Sequence, residues 1–259
     1  MERDPREAAT MLEPYPDEFV VDMLELLNPA AALNILYPVC EKTGRLLGLL
    51  RGQMLFEAEA IALSAQAGEM VGVEGEERLT TPWVRSLRFR HPWLQVNLFC
   101  GLLAALVVGF FQETIDRVIA LAVFLPVLIG QAANTGVQAL AVCLRGMTLG
   151  DLRSGRQRML LIKEMLLGTL NGALTGVTGG IAMFIFASMV KSPLALTLGL
   201  VVFLAITISC CFSGVAGAMV PLALRRFGAD PAIASSIVVT TFTDVGCLLV
   251  FLGLAAWLI

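Results

Sequence analysis

Five apolar runs, each close to or above the length that crosses a bilayer, fill most of the sequence after Trp93. They lie at about 93–111, 118–144, 165–190, 194–224 and 231–258. A spanning helix needs roughly 20 predominantly apolar residues. In hydrocarbon every backbone N–H and C=O must be paired within the protein. The runs therefore predict five transmembrane helices. Composition agrees: 57% of residues are hydrophobic and 15% charged, against about 25% charged in soluble domains. The expected fold class is an all-α integral membrane protein with five transmembrane helices and a small cytoplasmic N-terminal module.

Charge divides the chain. Residues 1–92 hold 9 Lys+Arg and 15 Asp+Glu, whereas residues 93–259 hold 9 and 6. An acidic head argues against a nucleic-acid partner and against a tail that binds anionic lipid. The short loops give orientation through their basic residues. One side collects Arg85, Arg88, Arg90, Arg145, Arg153, Arg156, Arg158, Lys163, Arg225 and Arg226, while the other has only Arg117 and Lys191. This predicts a multi-pass protein of the cell (inner) membrane with its N-terminus cytoplasmic and its C-terminus outside. The N-terminal MERDPREAAT lacks an apolar core, so no cleavable signal peptide is expected.

Residues 1–82 read as the cytoplasmic module and 83–259 as the membrane domain. Within the module, 16–36 has a helical pattern, with Phe19, Met23 and Leu27 on one face. YPVCEKTGRLLGLLRG (37–52) reads as strand, turn at Thr43-Gly44, strand. An Ala-rich helical stretch follows from about Gln53. The basic, aromatic segment 83–92 is expected at the membrane surface.

Asp244 is the only charged residue between Pro231 and Ile259. At about 1.5 Å rise per residue it sits about 20 Å along the last run, near mid-membrane. A carboxylate at that depth costs at least ~2.5 kcal/mol, and no Lys or Arg lies within the run to pair with it. A proton, a water-filled cavity or a bound cation must offset the cost, and a cation pathway is the preferred reading. Thr240 and Thr241 precede Asp244 by four and three residues, so both hydroxyls fall near its face of the helix. A second polar cluster, QAANTGVQ (Gln131–Gln138), interrupts the second run after Pro126. It reads equally as interhelical hydrogen bonding or as a surface facing water.

The ligand types on offer are carboxylate, hydroxyl, amide and carbonyl oxygens. That hard-oxygen set suits Mg2+, Ca2+ or Mn2+ rather than Zn2+ or Cu+. One Asp is too few for a Ca2+ cage, whereas Mg2+ is held by one or two carboxylates through its retained water. A homodimer with the pathway on its two-fold axis would supply two copies of Asp244. Asp230-Pro231 reads as an N-cap and first helical residue, and Glu164 as interfacial. The six cysteines contain no CxxC and the sole histidine is His91, so they read as packing residues rather than as a zinc or redox site. No nucleophile–base pair points to an enzyme, and no GxxxxGK[ST] to ATP.

PVLIGQAANTGVQALAVCLRGMTLGD in the second run resembles the signature of the MgtE family of magnesium transporters and channels. GADPAIASSIVVTTFTDVGCLLVFL resembles that family's last helix, and RHPWLQVNL the entry to its first. The resemblance covers most of 83–259. It implies a homodimeric Mg2+ pore in which Asp244 binds the hydrated ion, Thr240 one turn earlier contributes to the same site, Asn134 is the Asn of the second-helix patch, and Asp230 is the Asp of the Asp-Pro start. It implies a channel or transporter passing hydrated divalent cations down their electrochemical gradient, with Mn2+ and Co2+ as further candidates. The alternative is a Na+- or H+-coupled divalent cation exchanger. Two departures stand out. Ala132 and Ala133 replace the paired glycines before the Asn, which bears on conductance and ion preference. The cytoplasmic part looks like remnants, an N domain in 4–36 and one CBS strand pair in 37–52, so reduced or absent CBS-type gating is expected.

Overall fold

An apolar run that closes its backbone hydrogen bonds within itself becomes a helix, and what then distinguishes one helix from another is where small residues let neighbours approach. The computed structural model describes residues 36–40, 46–51, 53, 68, 71–75, 77–154, 156–228 and 231–259. The chain forms two compact units, Met1–Ala67 and Gly68–Ile259.

In the first unit, β1 (Leu36–Cys40) pairs antiparallel with β2 (Leu46–Arg51). Leu36 faces Arg51 and Val39 faces Gly48, with an irregularity between Val39 and Cys40. These are the two strands expected within 37–52; the turn expected at Thr43-Gly44 lies outside the described residues. The helices expected at 16–36 and after Gln53 lie outside the described residues, apart from Leu36, which opens β1, and Gln53 itself.

In the second unit the order is α1 (Trp83–Phe110), α2 (Gln112–Arg117), α3 (Ala120–Thr148), a 3-10 turn (Asp151–Ser154), α4 (Gln157–Met189), α5 (Ala195–Arg226) and α6 (Pro231–Leu258). Among the described residues five helices, α1, α3, α4, α5 and α6, are long and apolar enough to cross a membrane. Each matches one of the expected runs.

Two boundaries differ from expectation in an informative way. Segment 83–92 is continuous with the first span, and Pro92 is carried inside α1. The stretch before it folds back on α1. A Cβ at Gly72, whose φ is +79°, would lie 2.1 Å from the Trp93 ring; only glycine fits both that backbone and that approach. Beside it, Arg90 Nε donates to both Glu77 carboxylate oxygens at 3.0 Å. Along α3, the helix runs unbroken through Pro126 and QAANTGVQ. Ala132 and Ala133 are strong helix formers, and Thr135 Oγ1 donates to Gln131 O at 2.9 Å, so the patch stays helical without unwinding.

The tightest packing is between α4 and α5. Gly168, Gly172, Gly176 and Gly180 recur every four residues on one face of α4. A Cβ at Gly168 would stand 2.4 Å from Cys210 O, and one at Gly180 2.7 Å from Gly199 O. Without side chains between them the two backbones touch, which is how membrane helices associate when no hydrophobic force drives them. α5 also packs on α3 and α6, and α1 leans mainly on α6 without burying any residue fully.

Candidate functional site

The site is built on α6, whose sequence changes character halfway. Ser235, Ser236, Thr240, Thr241 and Thr243 occupy the half before Asp244, while the half after it is almost wholly hydrocarbon. In the first half the hydroxyls turn back on their own helix. Thr240 Oγ1 donates to Ser236 O (3.0 Å) and Ile237 O (3.1 Å), Thr241 Oγ1 to Ile237 O (2.7 Å), and Thr243 Oγ1 to Thr240 O (3.0 Å). Each of these three threonine hydroxyl hydrogens is therefore used, and each oxygen keeps lone pairs that accept from a water.

Asp244 follows Thr240 by four residues, one turn along the same face. Its Oδ1 is buried and has no hydrogen-bond partner among the described residues. Among the described residues no cationic group pairs with it. Cys247, one turn on, has Asp244, Cys210 and Ser209 as electrostatic neighbours. Asp244 is thus half-buried on the side of α6 near α5. A buried carboxylate oxygen left unpaired is costly, so the site calls for a proton, water or a cation. Among the described residues no three His, Cys, Asp or Glu side chains converge to hold a bare metal ion. One carboxylate with accepting hydroxyls fits an ion that keeps its water, which is how Mg2+ prefers to bind.

Thr240 and Asp244 are thus brought together. Asn134 is not joined to either by any hydrogen bond among the described residues. It is exposed on α3, between buried Ala132 and buried Gly136, and so faces away from the packed side of its helix. What the patch contributes to the inside of the bundle is Ala132 and Gly136. A Cβ at Gly136 would meet Thr243 Cγ2 at 2.9 Å and Val239 Cγ1 at 3.0 Å. Gly217 of α5 closes the same level, since its Cβ would lie 2.2 Å from Gly136 O. Two glycines let α3, α5 and α6 meet one residue before Asp244. Asp230 lies outside the described residues.

Sequence reasoning placed Glu164 at the interface, but it is buried to 6% exposure, and its Oε1 has no partner among the described residues. The signal was present: Glu164 precedes Gly168 by four residues and shares its close-packed face, with Glu164 O against Gly214. Ser213 of α5 and Ser235 of α6 also carry buried hydroxyls without a partner among the described residues. The described cysteines, Cys100, Cys143, Cys210, Cys211 and Cys247, are all free.

Residues 125–254, which hold the patch of α3 and Asp244, match a family model described as MgtE, divalent cation transporter. Three curated relatives are named magnesium transporter MgtE. That of Enterococcus faecalis is 28% identical over 219 residues, covering 85% of this chain and 47% of the relative. That of Bacillus subtilis is 29% identical over 220 residues, with 84% and 47% covered. That of Thermus thermophilus is 29% identical over 233 residues, with 86% and 48% covered. The chain spans about half the length of the curated relatives it matches.

Proposed function

The chain belongs to the MgtE family of divalent cation transporters, and on that premise we propose that it passes hydrated Mg2+ across the membrane down its electrochemical gradient, with Asp244 as the cation site. The observation that carries this reading is the buried, unpartnered Oδ1 of Asp244 in the middle of a membrane-spanning helix. Such a carboxylate is expensive unless a proton or cation occupies it. In this reading the ion keeps its water. Water of the hydration shell donates to the Asp244 carboxylate and, one turn away, to the lone pairs of Thr240, whose own hydrogen is engaged at Ser236 O and Ile237 O.

A single carboxylate half-neutralises a divalent ion. Two chains around a two-fold axis would bring two, which supports a homodimer with the pathway at its interface. Asn134 then has a role consistent with its exposure: it lines the pathway from α3 on a face the single chain leaves open. Mn2+ and Co2+ share the ligand preference and are further candidates. Entry of a divalent cation is favoured by about 4.6 kcal/mol at −100 mV, twice the single-charge value, so no further energy source is required. The loop charges support a cytoplasmic N-terminus and an external C-terminus. A polypeptide of these 259 residues, with a strand pair at 36–51 where the family carries a CBS pair, is proposed to conduct with little suppression by cytoplasmic Mg2+.

The test is Mg2+ uptake into proteoliposomes containing an entrapped indicator. Uptake that follows an imposed inside-negative potential and is indifferent to pH and Na+ gradients supports the channel. Uptake that requires a proton or Na+ gradient at fixed voltage replaces it with coupled exchange. No uptake under either condition removes the proposal.

A further inference from the structure

The contact between Gly180 and Gly199 leaves a groove on the outside of the α4–α5 hairpin. The two glycines form its floor, because neither has a side chain to fill the space between the touching backbones. Val177, Ile181, Phe184 and Leu200 border it, and about 440 Å³ of largely open space along it is lined almost wholly by hydrocarbon. That volume is in the range of small-molecule sites, about 300–1,000 Å³. Among the described residues no other helix covers the walls: Ile181 is 55% and Leu200 52% exposed. For a spanning hairpin, the medium on that side is lipid.

Hydrocarbon chains fill such a groove, but they gain nothing in water-driven burial by moving there from the bilayer. Preference for one lipid must come from its head. The turn at the end of the groove supplies a suitable partner. Lys191 sits in the α4–α5 connection, exposed, at φ +56°, and it has no ion-pair partner among the described residues. Phe184 lies seven residues before it, about 10 Å along the helix. α5 begins at Ala195 with no side-chain cap, so its first-turn N–H groups add partial positive charge at the same end. The two connections at this end of the bundle hold only one other basic residue, Arg117.

We propose that the α4–α5 hairpin is a binding site for one anionic glycerophospholipid, with an acyl chain in the Gly180–Gly199 groove and the phosphate head at Lys191. The test uses the full chain, extracted in mild detergent and exposed to equal amounts of phosphatidylglycerol and phosphatidylcholine, with retained lipid counted by native mass spectrometry. The expected result is one phosphatidylglycerol per protomer in preference to phosphatidylcholine. Lys191→Gln, on an exposed turn that does not threaten folding, lowers phosphatidylglycerol retention about fivefold, the worth of one basic residue at an anionic lipid surface. Ile181→Trp fills the groove and abolishes retention of both lipids. Equal retention of the two lipids by the unaltered chain overturns the proposal, as does unchanged phosphatidylglycerol retention in either variant. Quantitative cross-linking between copies through Leu200→Cys in membranes also overturns it, by showing a second protomer over the groove.

Discussion

Gly136 of α3 and Thr243 of α6 are in such close contact that a Cβ on the glycine would stand 2.9 Å from the threonine Cγ2. Gly217 of α5 presses on the same point from the other side, with Gly136 O 2.2 Å from where its Cβ would be. The unpartnered carboxylate of Asp244 follows immediately, so its position depends on two residues that have no side chain.

The two glycines differ in what a methyl group would meet. At Gly136 it meets the ends of two side chains; at Gly217 it meets backbone. Gly217→Ala is expected to cost about 2 kcal/mol or more, toward the upper end of overpacking penalties, and Gly136→Ala less. Thermal unfolding in detergent orders the two. A Gly217→Ala protein as stable as the unaltered one would contradict the close three-helix contact.

The hydroxyl hydrogen of Thr240 is engaged at Ser236 O and Ile237 O, so in the proposed site only its oxygen is left for the hydrated ion. Thr240→Val keeps the shape and removes the acceptor, and Mg2+ flux should fall roughly tenfold, the scale of one hydrogen bond to a charged species. Thr240→Ser should retain most of the flux. Equal flux in the serine and valine variants would mean that the hydroxyl does not contact the hydrated ion.

Glu164 is buried with its Oε1 unpartnered among the described residues, while its backbone O lies against Gly214 of α5. Neutralising it removes a desolvation penalty without removing volume, so Glu164→Gln should leave the unfolding temperature unchanged or raise it by a few degrees, about 2–4 °C per kcal/mol for a chain of this size. Glu164→Ala should lower it. A large loss of stability in the glutamine variant would show that the carboxylate has a partner it depends on.

The hydrogen bonds from Arg90 hold the Glu77 carboxyl below its ordinary value of 4.5. A carboxylate with a lowered folded pKa stabilises the fold above its unfolded value and loses that contribution as pH falls through the folded one. The difference in unfolding temperature between the unaltered chain and Glu77→Gln should therefore be present at neutral pH and vanish well below pH 4.5. A difference that persists in acid would assign it to packing instead of charge.

The spans were legible because length and apolarity alone decide them, and α6 begins and ends where its run does. Asp244 was legible for the same reason: one charge in a long apolar run cannot be missed. The inner geometry was harder to read. QAANTGVQ interrupts the apolar run, yet its alanines and the Thr135 back-bond keep the helix regular, and its interior members are Ala132 and Gly136 rather than Asn134. Glu164 sits near a basic loop, which suggested an interfacial residue, but the glycine spacing of α4 decides its burial. Small residues leave a weak mark on hydropathy while controlling how close helices come.

The most direct measurement compares divalent flux through the unaltered chain and Asp244→Asn in proteoliposomes under an inside-negative potential, with folding of both verified by thermal unfolding. The substitution preserves shape and removes the charge. Loss of Mg2+ flux, or loss of its preference over monovalent cations, in a folded Asp244→Asn protein is the predicted result. Normal, selective Mg2+ flux in that variant would contradict the assignment of Asp244 as the cation site.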